Sequence, residues 1–269
     1  MKQWNTPGGM AAASCLDMLK QPHLLIAGST GSGKSVLINS LVLTVNIPAL
    51  PNDILHQTHT LIAGTTGAGK SVLLDSVMYS FFCDPSRRGA VLIDPKRVEL
   101  SRFRSWPSVW ACETEPDRIL SVLRSVLDLM DRRYIEMQRR GERQYSGVTV
   151  YVIIDELADL SSLPGFLPLL VRLGRLGRAA GIHIIAATQS PDRKTIPAQL
   201  QQNFPARVAL RCRDRIESRQ ILGAPGAELL PKYGKALYYT PDTLQPVMVD
   251  VQQISSEQWQ VMKRFHNIT

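Results

Sequence analysis

The 269-residue sequence predicts an α/β fold: a mostly parallel central sheet flanked by helices, with a C-terminal antiparallel strand pair. Three observations predict it. Short apolar runs alternate with amphipathic stretches along the chain, as parallel strands and their crossover helices require. The pattern G-x-x-x-x-G-K-S occurs twice, each time between an apolar run and a helical stretch. A further apolar run, "VTVYVIIDE", ends in two acids.

Taken in order, "HLLIAG" and "HTLIAG" read as short buried strands, each passing through a glycine loop into an amphipathic helix. "GAVLIDP" is another strand. "PDRILSVLRSVLDLMDRRYIEMQRRG" is a long helix: Pro116 suits its first turn, Ile119, Leu120, Leu123, Val126, Leu127 and Met130 form one apolar stripe, and Gly141 ends it. "VTVYVIIDE" is rich in β-branched residues and reads as a central strand. "LPLLVRLGRLGRAAG" reads as a helix stopping at Gly181, followed by strands "IHIIAAT" and "ARVALRC". "ALYYT" and "QPVMVDV", joined around Pro241 and Asp242, form the closing antiparallel pair. No low-complexity linker divides the chain, so residues 22–269 read as one domain behind a leader of residues 1–21.

The bulk composition narrows the class. At 44% hydrophobic and 20% charged, the chain can bury a real core. Its four cysteines, Cys15, Cys83, Cys112 and Cys212, contain no C-x-x-C pair. This argues against a zinc site or disulfide framework and fits a reducing cytoplasm. No apolar run approaches the ~18 residues that a bilayer span needs, and the N-terminus lacks a signal-peptide core. The net charge of +8 fits either a polyanion partner or a charged, solvated surface.

The two loops carry the chemistry. A G-x-x-x-x-G-K-S loop wraps successive backbone N–H groups around phosphate oxygens, and the following helix adds partial positive charge. The lysine reaches the terminal phosphates and the serine hydroxyl binds Mg²⁺. The downstream loop offers Gly64, Thr65, Thr66, Gly67, Ala68, Gly69, Lys70 and Ser71; the upstream loop offers Gly28, Gly31, Gly33, Lys34 and Ser35. Residues 23–45 and 59–81 align without gaps with 13 identities in 23 pairs, so 23–58 reads as a duplicate of the strand–loop–helix unit 59–82. A working site also needs an acid at the end of a strand neighbouring the loop strand. Asp155 fits the metal, and Glu156 fits the orientation or deprotonation of attacking water. The chain has one such strand, so one hydrolytic centre is expected.

"HLLIAGSTGSGKSVLINSL", "VLIDPKRVEL", "VIIDELADL", "GRAAGIHIIAATQ" and "SRQILGAPGAELL" together resemble the motor domain of the FtsK/SpoIIIE DNA translocases, from about Leu16 to Val251. The resemblance implies a RecA-like P-loop NTPase fold, ATP and Mg²⁺ as cofactors, a hexameric ring, and double-stranded DNA in its pore. It implies that Gln189 senses the γ-phosphate and that Arg178 reaches a neighbouring subunit's nucleotide, with Arg207 and Arg219 as alternatives. The chain departs from the family in lacking membrane segments and a C-terminal winged helix, and in the short loop "GERQYSGV". A cytoplasmic or mobile-element translocase is expected. A protein-translocating or conjugation-type ring ATPase, and a nucleotide-binding structural subunit, stay open as alternatives.

Spacing selects between the loops. In the family the DPK strand follows the loop helix closely; Asp94 lies 24 residues after Lys70 (94 − 70) but 60 after Lys34 (94 − 34). Lys70 is therefore expected to serve the catalytic nucleotide. Seating the first copy instead would loop out the apolar second one, at a cost of roughly 1.5–3 kcal/mol per exposed Leu or Ile. For DNA, Arg211, Arg213 and Arg215, with Arg207 and Arg219 nearby, are the leading phosphate contacts, and Arg133, Arg139, Arg140 and Arg143 are further candidates. Asp94, Lys96 and Arg97 fall at a sheet edge where ligands gather, with either a structural or a functional role.

Overall fold

The computed structural model of the protein describes residues 49–83 and 88–268. Over these the chain forms α1 (Ala49–His56), β1 (His59–Ala63), α2 (Lys70–Cys83), β2 (Arg88–Ile93), β3 (Val109–Glu113), α3 (Pro116–Arg140), β4 (Thr149–Ile154) and α4 (Leu157–Ser161). It continues through α5 (Phe166–Leu176), β5 (Ile182–Thr188), α6 (Ala198–Gln201), β6 (Ala206–Ala209), α7 (Arg215–Leu222), β7 (Lys235–Tyr239), β8 (Val247–Asp250) and α8 (Ser256–Phe265). The upstream loop, with Gly28, Gly31, Gly33, Lys34 and Ser35, lies outside the described residues, as does most of the 23–58 repeat.

The strands make one eight-stranded sheet in the order β3-β2-β4-β5-β1-β6-β7-β8. β1 through β6 run parallel, and β7 and β8 add the expected antiparallel pair. One expectation is corrected here. The acidic strand β4 does not neighbour the loop strand β1; β5 lies between them, pairing β4 on one side and β1 on the other. The crossover from β1 through α2 therefore passes over two strands before the chain enters the sheet again at β2.

The sheet is covered on both faces, and the period-2 alternation of side chains shows how. Within β1, every residue is buried. Leu61 packs towards α3 and α5, and Ile62 packs towards α1, α2 and α8. A strand buried on both sides has no polar alternation, which is why it reads as a continuous apolar run. The α3 stripe, Ile119 to Met130, lies in the first of these layers as its spacing predicts, and Gly141 caps the helix at φ 68°. The second layer is aromatic. Phe81 and Phe82 of α2 are fully buried, Phe82 stands 4.4 Å from Trp106, and Trp259 of α8 donates its indole N–H to Asp75 at 3.0 Å.

Several elements differ from the sequence reading. The helix expected to run to Gly181 ends at Leu176. A Cβ on Gly177 would come within 2.8 Å of the Ile182 carbonyl, so the chain must turn there to deliver β5. β3 and α1 are additions, and α8 begins at a capping box, Ser255 with Gln258, that the sequence already displays. Arg133 is corrected outright. It is buried, donates to the carbonyls of Ala180 (2.7 Å) and Val148 (2.8 Å), and stacks 4.1 Å from the Tyr145 ring. It ties α3 to the strand entrances and is not available to nucleic acid.

The strand entrances also carry an acid-sensitive pair. Burial, and next the neighbouring His183, hold His59 down to about 3; burial holds His183 down to about 4. His59 Nδ1 accepts the Ile184 N–H at 3.0 Å, a bond only the neutral ring can make. A base with a lowered folded pKa contributes stability that is present above the unfolded pKa of ~6.5 and lost as pH falls below it. At pH 5, 1.5 units below that value, His59 alone is expected to cost about 2 kcal/mol. Thermal unfolding of wild type and His59→Gln at pH 8 and pH 5 checks this: the variant loses less stability on acidification. Equal losses would show that His59 does not carry the effect.

Candidate functional site

The site forms where β1, β4 and β5 end on the same edge of the sheet. After Ala63 the chain meets close packing: a Cβ on Gly64 would fall 2.6 Å from the Leu210 Cβ. Thr65 anchors the loop to β6, its N–H and hydroxyl both donating to the Arg211 carbonyl at 3.0 and 3.1 Å. Gly67 and Gly69 take φ of 76° and 101°, which L side chains rarely adopt. Among the described residues, no atom beyond the adjoining chain lies within 4 Å of where either Cβ would stand. The loop is thus a backbone cradle around open space, closed at its far end by the first turn of α2, whose N–H groups have no intrahelical partner.

Lys70, the first residue of α2, is 5% exposed. Its ammonium donates to the Asp155 carbonyl and to Asp155 Oδ1, both at 2.7 Å, and lies 3.5 Å from Glu156 Oε2. Asp155 and Glu156 are each 1% exposed and follow directly from β4. Burial pushes the Asp155 carboxyl up; the Lys70 ammonium opposes this, and Asp94 and Glu99 add to it. The loop lysine and the acidic pair therefore converge although their strands are not neighbours.

Glu156 is held asymmetrically. Oε1 accepts the Thr188 hydroxyl at 2.8 Å and the Gln189 N–H at 2.9 Å. Among the described residues, Oε2 is buried without a hydrogen-bond donor and faces the ammonium groups of Lys70 and Lys96 (3.6 Å). A fixed carboxylate with one orphaned oxygen fits the role of accepting a proton from water. Gln189 meets the loop itself: the Thr66 hydroxyl donates to its Oε1 at 2.7 Å. A cleft of about 760 Å³, lined by Thr66, Gln189, Arg193, Arg213 and Glu217 among others, opens beside this contact.

Arg178, Arg207 and Arg219 are not gathered here. Arg178 is exposed in the turn before β5, at the opposite edge of the sheet from the loop. The seven residues of β5 separate the edges by six steps (188 − 182), about 20 Å at ~3.3 Å per residue. Arg178 therefore cannot reach the loop of its own chain. Arg207 is spent on the carbonyls of Phe204 (3.1 Å) and Ile221 (3.3 Å), which removes it as an alternative, and Arg219 is exposed on α7. Arg211, Arg213 and Arg215 are exposed on the loop's edge; Arg213 pairs with Glu217 and Arg215 with Glu228.

The "DPKRVEL" segment holds residues the sequence reading left without a role. Asp94 is fully buried and structural, accepting the N–H groups of Leu100 and Ser101 at 3.0 and 2.8 Å. Lys96 spans Glu156 and Asp159. Burial alone would lower its pKa, but these two carboxylates outweigh it and hold it raised. Arg97 pairs with Glu115. Glu99 was missed altogether: it accepts the Ser71 hydroxyl. Its only trace in the sequence is an acid following DPK, and nothing local shows that it folds back to the loop.

Comparison with known proteins gives a consistent picture. The chain matches the FtsK/SpoIIIE family over two overlapping segments, residues 6–55 and 46–149. The first contains the upstream loop and the second the downstream one. It is 30% identical over 271 residues to the DNA translocase FtsK of Lactococcus lactis subsp. cremoris, covering 93% of this chain and 31% of that protein. With the DNA translocase FtsK of Chlorobaculum tepidum it shares 34% over 271 residues, covering 93% of this chain and 30% of that one. The chain thus spans about a third of the length of these relatives. Two solved structures share its fold: the pCW3 conjugation coupling protein TcpA with ATPγS (TM-score 0.68, 24% identity, covering 79% of this chain and 66% of that one) and EssC ATPases 2 and 3 from Geobacillus thermodenitrificans (TM-score 0.68, 18% identity, covering 79% and 44%). Among the described residues no helix is long and apolar enough to cross a membrane.

Proposed function

The chain belongs to the FtsK/SpoIIIE family and carries a P-loop ATPase fold, and from that premise we propose that it is the ATP-hydrolysing motor of a double-stranded DNA translocase that works as a ring. The observation that carries this reading is the convergence of Lys70, Asp155 and Glu156 beside an open glycine cradle. The phosphates of ATP occupy the cradle of Gly64–Ser71. Lys70 exchanges its bonds to Asp155 for phosphate oxygens. In this reading Ser71 and Asp155 would hold Mg²⁺, which would supply charge neutralisation on the phosphates. Glu156, clamped through Oε1 by Thr188 and Gln189, takes the proton of the attacking water on Oε2. Gln189, joined to Thr66, links the state of the loop to that clamp.

Ring assembly supplies Arg178. Because Arg178 lies about 20 Å from its own loop, it acts only on a neighbour's nucleotide, where an arginine stabilises charge on the transferring group. Arg211, Arg213 and Arg215 make the DNA contacts. The guanidinium groups of Arg213 and Arg215 are exposed although their partners Glu217 and Glu228 are largely buried, so phosphates can reach both arginines from solvent. Residues 23–58 are an inserted duplicate of 59–82, within a single motor domain.

ATPase rates measured with and without duplex DNA across a salt series test this. Duplex is expected to stimulate turnover several-fold, with apparent DNA affinity falling by ~0.9 log units per log unit of salt for each phosphate contacted. A rate indifferent to duplex at every salt concentration would remove DNA as the cargo and favour a protein-moving ring. Nucleotide bound without hydrolysis would favour a structural subunit.

A further inference from the structure

Glu99 lies in a loop built to bring it to one place. Asp94 closes that loop from inside, accepting Val98 N–H on Oδ1 (3.3 Å) and Leu100 N–H, Ser101 N–H and the Ser101 hydroxyl on Oδ2 (3.0, 2.8 and 2.8 Å). Arg97 takes φ 61°, the left-handed turn that reverses the chain. The result is that Glu99, 28 residues beyond Ser71, returns to the start of α2 and accepts the Ser71 hydroxyl. Ser71 and Glu99 are thus in direct contact at the start of α2, one residue from Lys70, which bonds to Asp155. Among the described residues no three His, Cys, Asp or Glu side chains form a ligand cage of their own. A cation here depends on few protein ligands and on how each is aimed.

We propose that Glu99 is a positioning residue for the divalent cation of this site, acting through Ser71. A hydroxyl has one proton and two lone pairs. With its proton donated to Glu99, the Ser71 oxygen presents both lone pairs towards the cation, and the carboxylate raises the electron density they carry. Partners of metal ligands that act this way commonly contribute 10–100-fold to metal affinity. The inference rests on the nucleotide site proposed above and adds a residue to it.

The test is Mn²⁺ binding, followed by electron paramagnetic resonance in the presence of ATPγS, for wild type, Glu99→Gln, Ser71→Ala, Asp155→Asn and the Glu99→Gln/Ser71→Ala double variant. Glu99→Gln is expected to weaken Mn²⁺ binding at least about tenfold and to add nothing in the Ser71→Ala background. ATPγS affinity in EDTA is expected to hold or tighten, because a negative charge near the phosphates has gone. A general loss of structure would instead weaken nucleotide binding with and without metal, and that result overturns the proposal. So does Mn²⁺ affinity unchanged in Glu99→Gln while Asp155→Asn weakens it, which leaves the nucleotide site standing. Wild type that binds no Mn²⁺ with ATPγS would overturn the nucleotide site itself. Should Glu99→Gln fail to fold, Glu99→Asp serves: its carboxylate, withdrawn by one methylene, gives an intermediate loss, and wild-type affinity would overturn the proposal.

Discussion

Glu156→Gln is expected to lower ATP turnover by roughly 10²–10⁴-fold, the range typical of removing a general base, while ATP still binds. The substitution is nearly isosteric, so the Thr188 and Gln189 bonds to Oε1 can be kept by the amide oxygen. What is lost is the basic second oxygen, the atom left without a donor in the buried site. Binding is expected to hold or tighten, because Glu156 partly neutralises Lys70 and Lys96 and its removal leaves more positive charge for phosphate. Steady-state ATPase assays with titration of a fluorescent ATP analogue separate the two effects. Turnover within threefold of wild type would deny Glu156 the role of base. Loss of binding together with turnover would mean that it holds the site's shape instead.

Lys70→Ala is expected to cost turnover about 10²–10³-fold, as removal of a preorganised donor at developing charge does, whereas Lys34→Ala keeps most activity. The asymmetry follows from position. Lys70 stands between two carboxylates that are each 1% exposed, and its strand lies in the centre of the sheet. Truncation also strands those carboxylates, which costs about 3–5 kcal/mol where a buried ion pair loses one member. Lys70→Arg controls for this. It keeps a positive charge, so it is expected to unfold near the wild-type temperature, yet its planar fork replaces a compact ammonium and turnover still falls. Full activity in Lys70→Ala with loss in Lys34→Ala would transfer the catalytic role to the upstream loop.

Much of the site was legible because its parts are local in sequence. The Gly64–Ser71 cradle needs a strand, glycines with positive φ and a helix start in succession, and each leaves its mark in adjacent letters. Asp155 and Glu156 show as a pair of adjacent acids ending a continuous apolar strand, and Gln189 as the polar residue that follows β5. Arg133 misled because an arginine on an amphipathic helix looks the same whether its guanidinium meets water or three backbone carbonyls. α8 was overlooked despite its capping box, since a ten-residue helix with a weak apolar stripe announces itself only at its cap.

By itself, then, the sequence determined the fold class, and it pointed to the glycine cradle, to the acidic pair and, by the distance from Asp94, to Lys70 as the expected nucleotide lysine. Those are matters of hydrophobic period, turn chemistry and chain length, all of which act between residues close along the chain. Tertiary structure alone decided that β5 separates β1 from β4, that Arg178 lies at the sheet edge opposite its own glycine loop, and that Glu99 returns to Ser71. Each of these depends on which strands pair and where a loop turns back, and burial over the whole sheet sets that rather than any local preference.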